Sequence, residues 1–328
     1  MSNTTTDRLM AEGFNQTLLD KPYLCTTKTC PKELQTIRYI PSLGANAFFL
    51  ALFTILLIFQ IGFGFKWRTW SFAGCVFGGL VLEVVGYVGR IQIHNNPFDS
   101  DPFLMYLVTL TIAPCFLTAA IYLSLSRIII TYGTSLARFK PRTYTIIFIC
   151  CDVFSLVLQA VGGAIADTAD TKSLTDAGIN IMIAGLVFQV VSLTLFAGLC
   201  AEFFWSVKKH GGVSRSVLQG RLPKSVGRLY LFIGSLSLAT LCIYIRSIFR
   251  VAELQGGFDG HLANDEVTFI ILESIMVGIA SIALTLPHPG MIFGQNWKMA
   301  KARAAGEHGK AASSSPDISM ERLREGPK

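Results

Sequence analysis

Charged residues are scarce in this sequence. Asp, Glu, Lys and Arg make up 15% of its 328 residues, while hydrophobic residues make up 52%. Soluble domains carry about 25% charged residues, so water is not the main solvent of this protein's surface. The same composition excludes a collagen, a coiled coil and a disulfide-rich toxin. A phosphate-binding G-x-x-x-x-G-K-[ST] loop is also missing, which excludes nucleotide hydrolysis by that route.

Signatures of catalysis and metal binding are equally sparse. The five histidines all fall in loops, in the C-terminal tail or at helix ends, so they do not supply the converging ligands of a membrane zinc hydrolase. The cysteines inside the apolar stretches have no paired-ligand spacing and are expected to be small packing residues. The sequence therefore predicts a protein that is not an enzyme and that holds no metal and no cofactor.

The sequence is rich in long apolar stretches. Seven of them have the length of about 20 residues that a helix needs to cross roughly 30 Å of hydrocarbon. They run from 43 to 65, 70 to 91, 103 to 130, 144 to 166, 178 to 207, 229 to 251 and 267 to 287. This pattern predicts an all-α integral membrane protein with a bundle of seven transmembrane helices.

The stretches divide the chain into three parts. Residues 1–42 are polar and contain no apolar signal-peptide core, so we expect the first helix itself to direct insertion. Residues 43–289 form the predicted helical domain. Residues 290–328 are rich in Lys, Arg, Ala, Gly and Ser, a composition that predicts a disordered tail.

The placement of basic residues predicts how the bundle is oriented. The segments after the first, third and fifth helices contain Lys and Arg but no acid, whereas the opposite segments collect Asp and Glu. By the positive-inside rule the N-terminus lies outside and the C-terminal tail is cytoplasmic. The net charge of +7 is then a topology signal and does not indicate a nucleic-acid partner.

The predicted outer tail carries candidate modification sites. Asn3 and Asn15 each begin an N-x-[ST] sequon, the acceptor pattern for N-glycosylation. Cys25 and Cys30 are the two cysteines outside the spans. An oxidising exterior would allow them to form a disulfide, although their spacing permits the bond without requiring it.

Ionisable residues inside the spans are the strongest candidates for a functional site, because such groups are costly in lipid and usually face the bundle interior. Glu83 and Arg90 lie two turns apart on one face of the second helix. In the sixth helix Arg246, Arg250 and Glu253 also share one face. Arg250 and Glu253 have the spacing of an intrahelical ion pair.

Further polar residues extend this candidate ligand-binding set. Glu266 and Glu273 repeat the seven-residue spacing in the last helix, and Gln159 and Gln189 lie at mid-depth of the fourth and fifth. Together the set predicts an outward-facing polar cavity that receives the polar or charged head of an amphiphile. The alternative is a self-satisfied salt-bridge network that only locks the second, sixth and seventh helices together.

A second polar layer is expected toward the cytoplasm. Asp152 lies in the inner half of the fourth helix and Arg127 near the inner end of the third, where Arg127 could equally reach the lipid headgroups. Pro114 lies well inside the third helix, where it removes a backbone hydrogen bond and predicts a kink. Gly162 and Gly163 would allow a close approach of two helices.

Several segments, taken in order along the chain, resemble the fungal lipid-translocating exporter family, seven-helix proteins also described as conferring resistance to aminocholesterol. The resemblance extends from about residue 39 to 290 and rests on an ordered set of motifs. These are Glu83-Val-Val-Gly-Tyr-Val-Gly-Arg90, Ala113-Pro114, Asp152 with Ser155, Gln159 and Gly162-Gly163, Gly185-Leu186 with Gln189, Arg246-Ser-Ile-Phe-Arg250-Val-Ala-Glu253, Glu266, and His288-Pro289-Gly290.

The resemblance implies a multi-pass fungal membrane protein, most often of the plasma membrane, that exports or translocates sphingoid bases and other lipids. It also implies tolerance of toxic sterol-like amphiphiles or, in some members, porphyrin traffic. Its partners would be membrane lipids or amphiphilic small molecules, with no nucleotide. Where relatives usually have an Asp in the last helix, this chain has Glu273.

A seven-helix receptor, a stress sensor or a regulator of other transporters is the alternative function. Basic cytoplasmic loops and a Ser-rich tail suit signalling as well as transport. However, Ser126-Arg127-Ile128 stands where one receptor class carries a D-R-Y-like triplet, and no N-P-x-x-Y motif closes the seventh helix. The sequence therefore favours transport over reception.

Overall fold

A computed structural model describes residues 25, 30–31, 35, 39–132, 141–169, 171–209, 226–256, 260 and 265–293. Within this part all regular structure is helical, and seven helices are long and apolar enough to cross a membrane. The predicted all-α class and the number of spans are thereby confirmed. Both sequons, at Asn3 and Asn15, and residues 294–328 of the predicted tail lie outside the described residues.

The helices follow one another with short connections where the structure describes them. Helices α1 to α6 are Leu43–Trp67, Trp70–Asn95, Ser100–Tyr132, Pro141–Asp167, Lys172–Lys209 and Val226–Gln255. Helix α7 begins as Glu266–Phe269, continues as a π-helical segment Ile270–Ile275 and ends as Met276–Thr285, and α8 is Pro289–Phe293. These bounds enclose or closely match the apolar stretches read from the sequence. The orientation of the bundle in the membrane stays a prediction.

The ends of α1 show how the sequence sets a helix boundary. Before its first turn, the Ser42 side chain accepts a hydrogen bond from the Ala45 amide, as an N-cap serine does. At the other end Arg68 adopts a left-handed conformation with φ 54° and donates its amide to the Gly64 carbonyl. Because two residues separate α1 from α2, the chain reverses there and the two helices pack as antiparallel neighbours.

Two features of the C-terminal part differ from the sequence-based expectation. The π-helical segment of α7, with its wider i→i+5 turns, is not visible in the apolar periodicity. Helix α8 covers residues 290–293, which were expected to belong to a disordered tail. It forms because the His288 Nδ1 accepts a hydrogen bond from the Gly290 amide at 3.1 Å, and because Pro289 suits a first helical position, where no amide donor is needed.

Aromatic and glycine contacts hold the helices together. Tyr87 of α2 stacks against Phe49 and Phe53 of α1, with ring centroids 5.6 and 5.5 Å apart. Between α4 and α5, a Cβ on Gly162 would lie 2.6 Å from the Met182 backbone nitrogen, so only glycine allows this close approach. Near the N-terminus, Cys25 and Cys30 are joined by a disulfide.

Large hydrophobic side chains also cover the outside of the bundle. Phe48 and Ile58 of α1, for example, are 63% and 64% exposed. Soluble monomers rarely expose so much contiguous apolar surface, and in a seven-helix bundle this surface faces the lipid. Seven charged residues of the helices are buried on the opposite, inner side, as the cost of charge in lipid favours: Glu83, Arg90, Asp152, Arg246, Arg250, Glu253 and Glu273.

Candidate functional site

Arg246 of α6 is the centre of a buried charged cluster. Its side chain is 1% exposed. Its Nε and Nη2 atoms both donate to the Glu273 Oε1 of α7, at 3.0 and 2.6 Å. The same Nη2 donates to the Leu110 backbone carbonyl of α3 at 2.9 Å. One guanidinium therefore ties three helices together.

The Leu110 carbonyl is available to Arg246 because of Pro114. In a regular helix this oxygen would accept from the amide four residues later, but proline has no amide hydrogen. Helix α3 runs through Pro114 without interruption from Ser100 to Tyr132. The sequence predicted a kink at Pro114, and the structure shows that the freed carbonyl is used by an arginine from another helix.

A second ion pair lies further along α6. Arg250 Nη1 donates to Glu253 Oε2 at 2.6 Å, within one helix turn, as their spacing predicts. Arg250 Nη2 also reaches the Thr111 hydroxyl of α3 at 3.4 Å. Both members of this pair are more than 90% buried. This pair extends the cluster beyond Arg246 toward the end of α6.

Arg90 of α2 is held by neutral groups. Its Nε donates to the Asn46 Oδ1 of α1 at 2.8 Å, and its Nη2 to the Tyr39 hydroxyl at 3.2 Å. Its guanidinium carbon lies 3.9 Å from the Phe269 ring centroid and 5.3 Å from that of Tyr106. The sequence analysis missed these four partners, although an asparagine inside the apolar first helix was the visible signal for one of them.

Glu83 of α2 differs from the other buried charges. It is 2% exposed and lies within electrostatic reach of both Arg246 and Glu273. Its Oε1 is buried with no hydrogen-bond partner among the described residues. Two carboxylates thus share the neighbourhood of one guanidinium, and the Arg246 hydrogen bonds to a carboxylate go to Glu273.

Glu266 is not brought into the cluster with Glu273. Its carboxylate accepts a short hydrogen bond from the Ser42 amide at the start of α1, and its side chain is only partly buried. The seven-residue spacing predicted one shared face, but that prediction assumed a regular α-helix. The π-helical segment Ile270–Ile275 begins between the two residues and includes Glu273, so it changes the turn angle that separates them.

The two glutamines belong to a second polar cluster, between α4, α5 and α3. Gln159 Nε2 donates to Ser155 Oγ at 2.8 Å and to Gln189 Oε1 at 3.2 Å. Gln189 Nε2 in turn donates to the Cys115 sulfur at 3.1 Å. Cys115 is also within electrostatic reach of Arg246. The two polar clusters are therefore neighbours, with Cys115 between them.

Asp152 completes this second cluster and, among the described residues, accepts its hydrogen bonds from hydroxyl groups. Its Oδ2 accepts from the Thr118 hydroxyl at 2.9 Å and from the Tyr122 hydroxyl at 3.1 Å. Its Oδ1 is buried and has no hydrogen-bond partner within the described chain. Arg127 lies nine residues beyond Thr118 on α3 and is partly exposed. The expected inner layer is thus built by hydroxyl groups around Asp152.

The charged cluster is closed in this structure. One cavity of about 410 Å³ lies at the junction of α2 and α3 and includes Asn95 and Asp99 in its lining. Another, of about 300 Å³, lies between α3, α5 and α6. Neither is lined by a charged residue of the cluster. The pairing of these charges agrees with the salt-bridge alternative, and the cavity alternative requires the helices to open.

The described residues contain no group of three His, Cys, Asp or Glu side chains that could hold a metal ion. The polar interior of the bundle is built instead from arginines, carboxylates, amides and hydroxyl groups. These groups bind charged or hydrogen-bonding organic molecules by ion pairing and hydrogen bonding. The arrangement is therefore chemically suited to recognition.

Comparison with known proteins assigns the chain to a family. A family model described as "RTA1 like protein" matches residues 76–296, a range that contains the charged cluster and the second polar cluster. The chain belongs to the RTA1-like family. This confirms the resemblance read from the motifs. No solved structure matches the chain.

Named relatives of this RTA1-like protein come from Saccharomyces cerevisiae. A "Sphingoid long-chain base transporter RSB1" is 34% identical over 280 residues, covering 77% of this chain and 73% of the relative. A "Protoporphyrin uptake protein 1" is 30% identical, covering 69% of this chain and 70% of the relative. "Protein RTM1" is 28% identical and covers 67% of each chain. Two of the three names describe transport or uptake, and none describes an enzyme.

Proposed function

We propose that this protein moves single-chain amphiphiles of the sphingoid-base class across a fungal membrane, with Glu83, Arg246 and Glu273 receiving the cationic head. The observation that carries the proposal is the Glu83 Oε1 atom, buried without a hydrogen-bond partner among the described residues and near the Arg246–Glu273 pair. The similarity to a sphingoid long-chain base transporter supports the substrate class. We place the protein in the plasma membrane, as the family resemblance implies, and with its N-terminus outside, as the distribution of basic residues predicts.

A protonated amine suits the charge balance around Glu83. Two carboxylates lie near one guanidinium, so this part of the cluster can accept one additional positive charge. An ammonium group donates up to three hydrogen bonds, enough to reach the unpartnered Oε1 of Glu83 and the Oε2 of Glu273, which is also unpartnered within the described chain. Both carboxylate oxygens would then accept a hydrogen bond from the ligand.

The Leu110 carbonyl gives Arg246 a second anchor during such an exchange. When an amine approaches Glu273, the arginine loses part of its ionic partner and would otherwise be left buried and unpaired, at high cost. The hydrogen bond from Nη2 to the Leu110 oxygen keeps one strong contact throughout. Arg246 can therefore give way to the ligand without leaving the bundle.

Binding requires the bundle to open. Glu83, Arg246 and Glu273 are at most 3% exposed, so no head group reaches them in this conformation. Two departures from regular helical hydrogen bonding lie next to them: Pro114 in α3, which has no amide donor, and the π-helical turn that carries Glu273. Segments of this kind often lie at functional sites in helices, and they make these two helices the candidates for movement.

A porphyrin is the second candidate substrate, because a relative is named as a protoporphyrin uptake protein. A porphyrin carries carboxylates instead of an amine, so it would pair with arginines of the cluster and would not need Glu83. A lipid sensor or a regulator of other transporters is the third possibility. It would bind the same head group without moving it.

The deciding experiment measures the movement of a fluorescent sphingoid base across phosphatidylcholine liposomes that contain the purified protein, without nucleotide. We expect protein-dependent movement for the wild type and a loss of about tenfold or more for Glu83→Gln and Arg246→Gln, because a charge-assisted hydrogen bond contributes about 1.5–3 kcal/mol. Glu202→Gln, an exposed acid of α5, is the matched control and should behave like the wild type.

Each remaining outcome selects another function. If the protein moves protoporphyrin, and this movement is unaffected by Glu83→Gln but lost in Arg246→Gln, a porphyrin is favoured as the substrate. Binding of the base without movement, by folded wild-type protein, would favour a sensor or regulator. In that case deletion of residues 294–328 should abolish signalling in cells, whereas a transporter should keep its activity without this tail.

A further inference from the structure

A groove on the outside of the bundle is separate from the charged cluster. It is the cavity of about 300 Å³ between α3, α5 and α6. Its lining contains no charged residue, and the lining residues with a polar or sulfur-containing side chain are Ser237, Thr240, Tyr244 and Cys200. Along α6 it extends from Ile233 to Tyr244, which corresponds to about 16 Å of helix.

Small side chains create this groove. Ala197 and Ala201 lie one turn apart on the same face of α5, and Ser237 lines the groove from α6. All three residues are exposed at the surface of the bundle. Leucine is the common residue on the neighbouring lipid-facing surface, for example Leu195 and Leu238. A gap open toward the lipid remains where the small residues meet.

The floor of the groove is fixed in place. Phe196 lines it and is 2% exposed. Its ring centroid lies 4.5 Å from that of Tyr122 and 5.3 Å from that of Phe148. The Tyr122 hydroxyl in turn donates to Asp152. Since each of these rings is held by the next, the groove is preformed and does not depend on a side chain turning away.

We propose that this groove binds the alkyl chain of a single-chain amphiphile. Its surroundings in a membrane are hydrocarbon, and a lining without charge offers nothing to a head group. Its length of about 16 Å matches roughly half of the 30 Å hydrocarbon layer, the depth of one leaflet. Its volume lies at the lower end of the roughly 300–1,000 Å³ of small-molecule sites, which suits one chain and not the two chains of a phospholipid.

One end of the groove lies at the same depth in the bundle as the head-group site. Tyr244 forms one end of the groove, and Arg246 follows two residues later on α6, a rise of about 3 Å along the helix. A chain in the groove therefore ends at the depth of the charged cluster. This inference rests on the proposed function, because it assigns the tail of the same substrate class.

The test uses a sphingosine analogue with a photoreactive diazirine in its alkyl chain, bound to the full-length protein in phosphatidylcholine liposomes. We expect labelling of residues 196–201 of α5 and 233–244 of α6, and displacement of the probe by unlabelled sphingosine. Ala197→Phe fills the groove and should weaken the apparent affinity about tenfold, the equivalent of roughly two methylene groups displaced from apolar contact.

The neighbouring residue provides the matched control. A Cβ at Gly198 would meet no atom within 4 Å, and Gly198 does not line the groove. Gly198→Phe adds a ring to the same helix and should leave the labelling unchanged. If Ala197→Phe does not fold, Ser237→Phe narrows the groove from the opposite wall and serves the same purpose.

Three results would overturn the proposal. They are labelling spread evenly over the lipid-facing helices, equal labelling of the wild type and the filled variant, and crosslinks showing that a second copy of the chain occupies the groove. The proposed transport fails separately. Labelling of the groove without movement of the base contradicts transport alone. The groove alone is contradicted if Glu83→Gln abolishes movement of the base while Ala197→Phe changes neither the movement nor the labelling.

Discussion

Arg246 of α6 donates a hydrogen bond to the Leu110 carbonyl of α3 at 2.9 Å, and Pro114 is the reason that this oxygen has no helical partner. The proline therefore does more than weaken a helix. It presents a backbone acceptor to the interior of the bundle, next to the Arg246–Glu273 ion pair. The charged cluster therefore includes a backbone carbonyl of α3 that Pro114 leaves without its helical donor.

Replacing Pro114 with alanine should stabilise the helix and impair function. Alanine restores the amide that can bond to Leu110, so this amide competes with Arg246 for the oxygen. An interior proline costs a helix about 3 kcal/mol, part of which the variant should regain as a higher unfolding temperature. Transport of the sphingoid base should fall at the same time, because Arg246 is held less firmly. Thermal unfolding in detergent and the liposome assay measure the two effects.

Pro102→Ala is the control for this substitution. Pro102 lies in the first turn of α3, where the missing amide has no helical acceptor, so its replacement should change neither quantity much. A Pro114→Ala protein with wild-type transport would show that the Leu110 contact is dispensable.

The Arg246–Glu273 pair allows structure and binding to be separated by a double-mutant cycle. Arg246→Gln leaves the Glu273 carboxylate buried without its cation and should lower the free energy of unfolding by about 3–5 kcal/mol. The variant carrying both Arg246→Gln and Glu273→Gln removes both charges and should recover most of that loss.

Transport by the double variant then distinguishes an ion pair that only locks the helices from one that also binds the ligand. A pair that only locks the helices predicts recovery of transport together with stability. A pair that also receives the ligand predicts a stable protein that does not move the base. Size-exclusion chromatography and thermal unfolding confirm that the double variant is folded before transport is compared.

Sequence alone predicted the parts of this structure that follow from the cost of charge in lipid. The seven spans and the inward position of Glu83, Arg90 and Arg246 needed only hydropathy and helical periodicity. The partners of these charges could not be predicted, because they depend on contacts between helices. Asn46 and the Phe269 ring lie far from Arg90 in sequence yet hold it.

Two further differences between the sequence-based ligand-binding set and the structure have separate causes. Glu266 and Glu273 share a face only if α7 is α-helical throughout, and the π-helical segment that starts after Glu266 and includes Glu273 breaks that periodicity. Gln159 and Gln189 were assigned by depth, which does not reveal direction around the helix axis. They point into a separate cluster with Ser155.

The adjacent glycines of α4 offer a direct test of helix packing. A Cβ at Gly162 would lie 2.6 Å from the Met182 nitrogen and 2.7 Å from the Gly178 oxygen of α5, whereas a Cβ at Gly163 would meet nothing closer than 3.7 Å. Gly162→Ala must push two backbones apart, which typically costs about 1–3 kcal/mol or more. Gly163→Ala should be neutral or slightly stabilising, since alanine is the better helix former by about 1 kcal/mol.

Thermal unfolding of the two alanine variants, together with their yield as folded protein, measures this difference. Equal stability of the two variants would mean that α4 and α5 are not as close in the membrane as they are in this structure.

The contact between Arg90 and Phe269 is the last interaction that can be isolated by substitution. The guanidinium carbon lies 3.9 Å from the ring centroid, and both side chains are buried, so the cation–π attraction acts with little water present. Phe269→Leu keeps an apolar side chain but removes the ring face. It should lower the free energy of unfolding by about 2 kcal/mol, the value for a desolvated cation–π contact, plus a smaller packing loss.

The same substitution in an Arg90→Gln background separates the cation–π contribution from packing. Without the cation, Phe269→Leu should cost only the packing loss, so the two changes should be non-additive by about 1–2 kcal/mol. Denaturant or thermal unfolding of the four proteins in one detergent supplies the cycle. Additive losses would mean that Phe269 only fills space, and Arg90 would then be held by Asn46 and Tyr39 through hydrogen bonds.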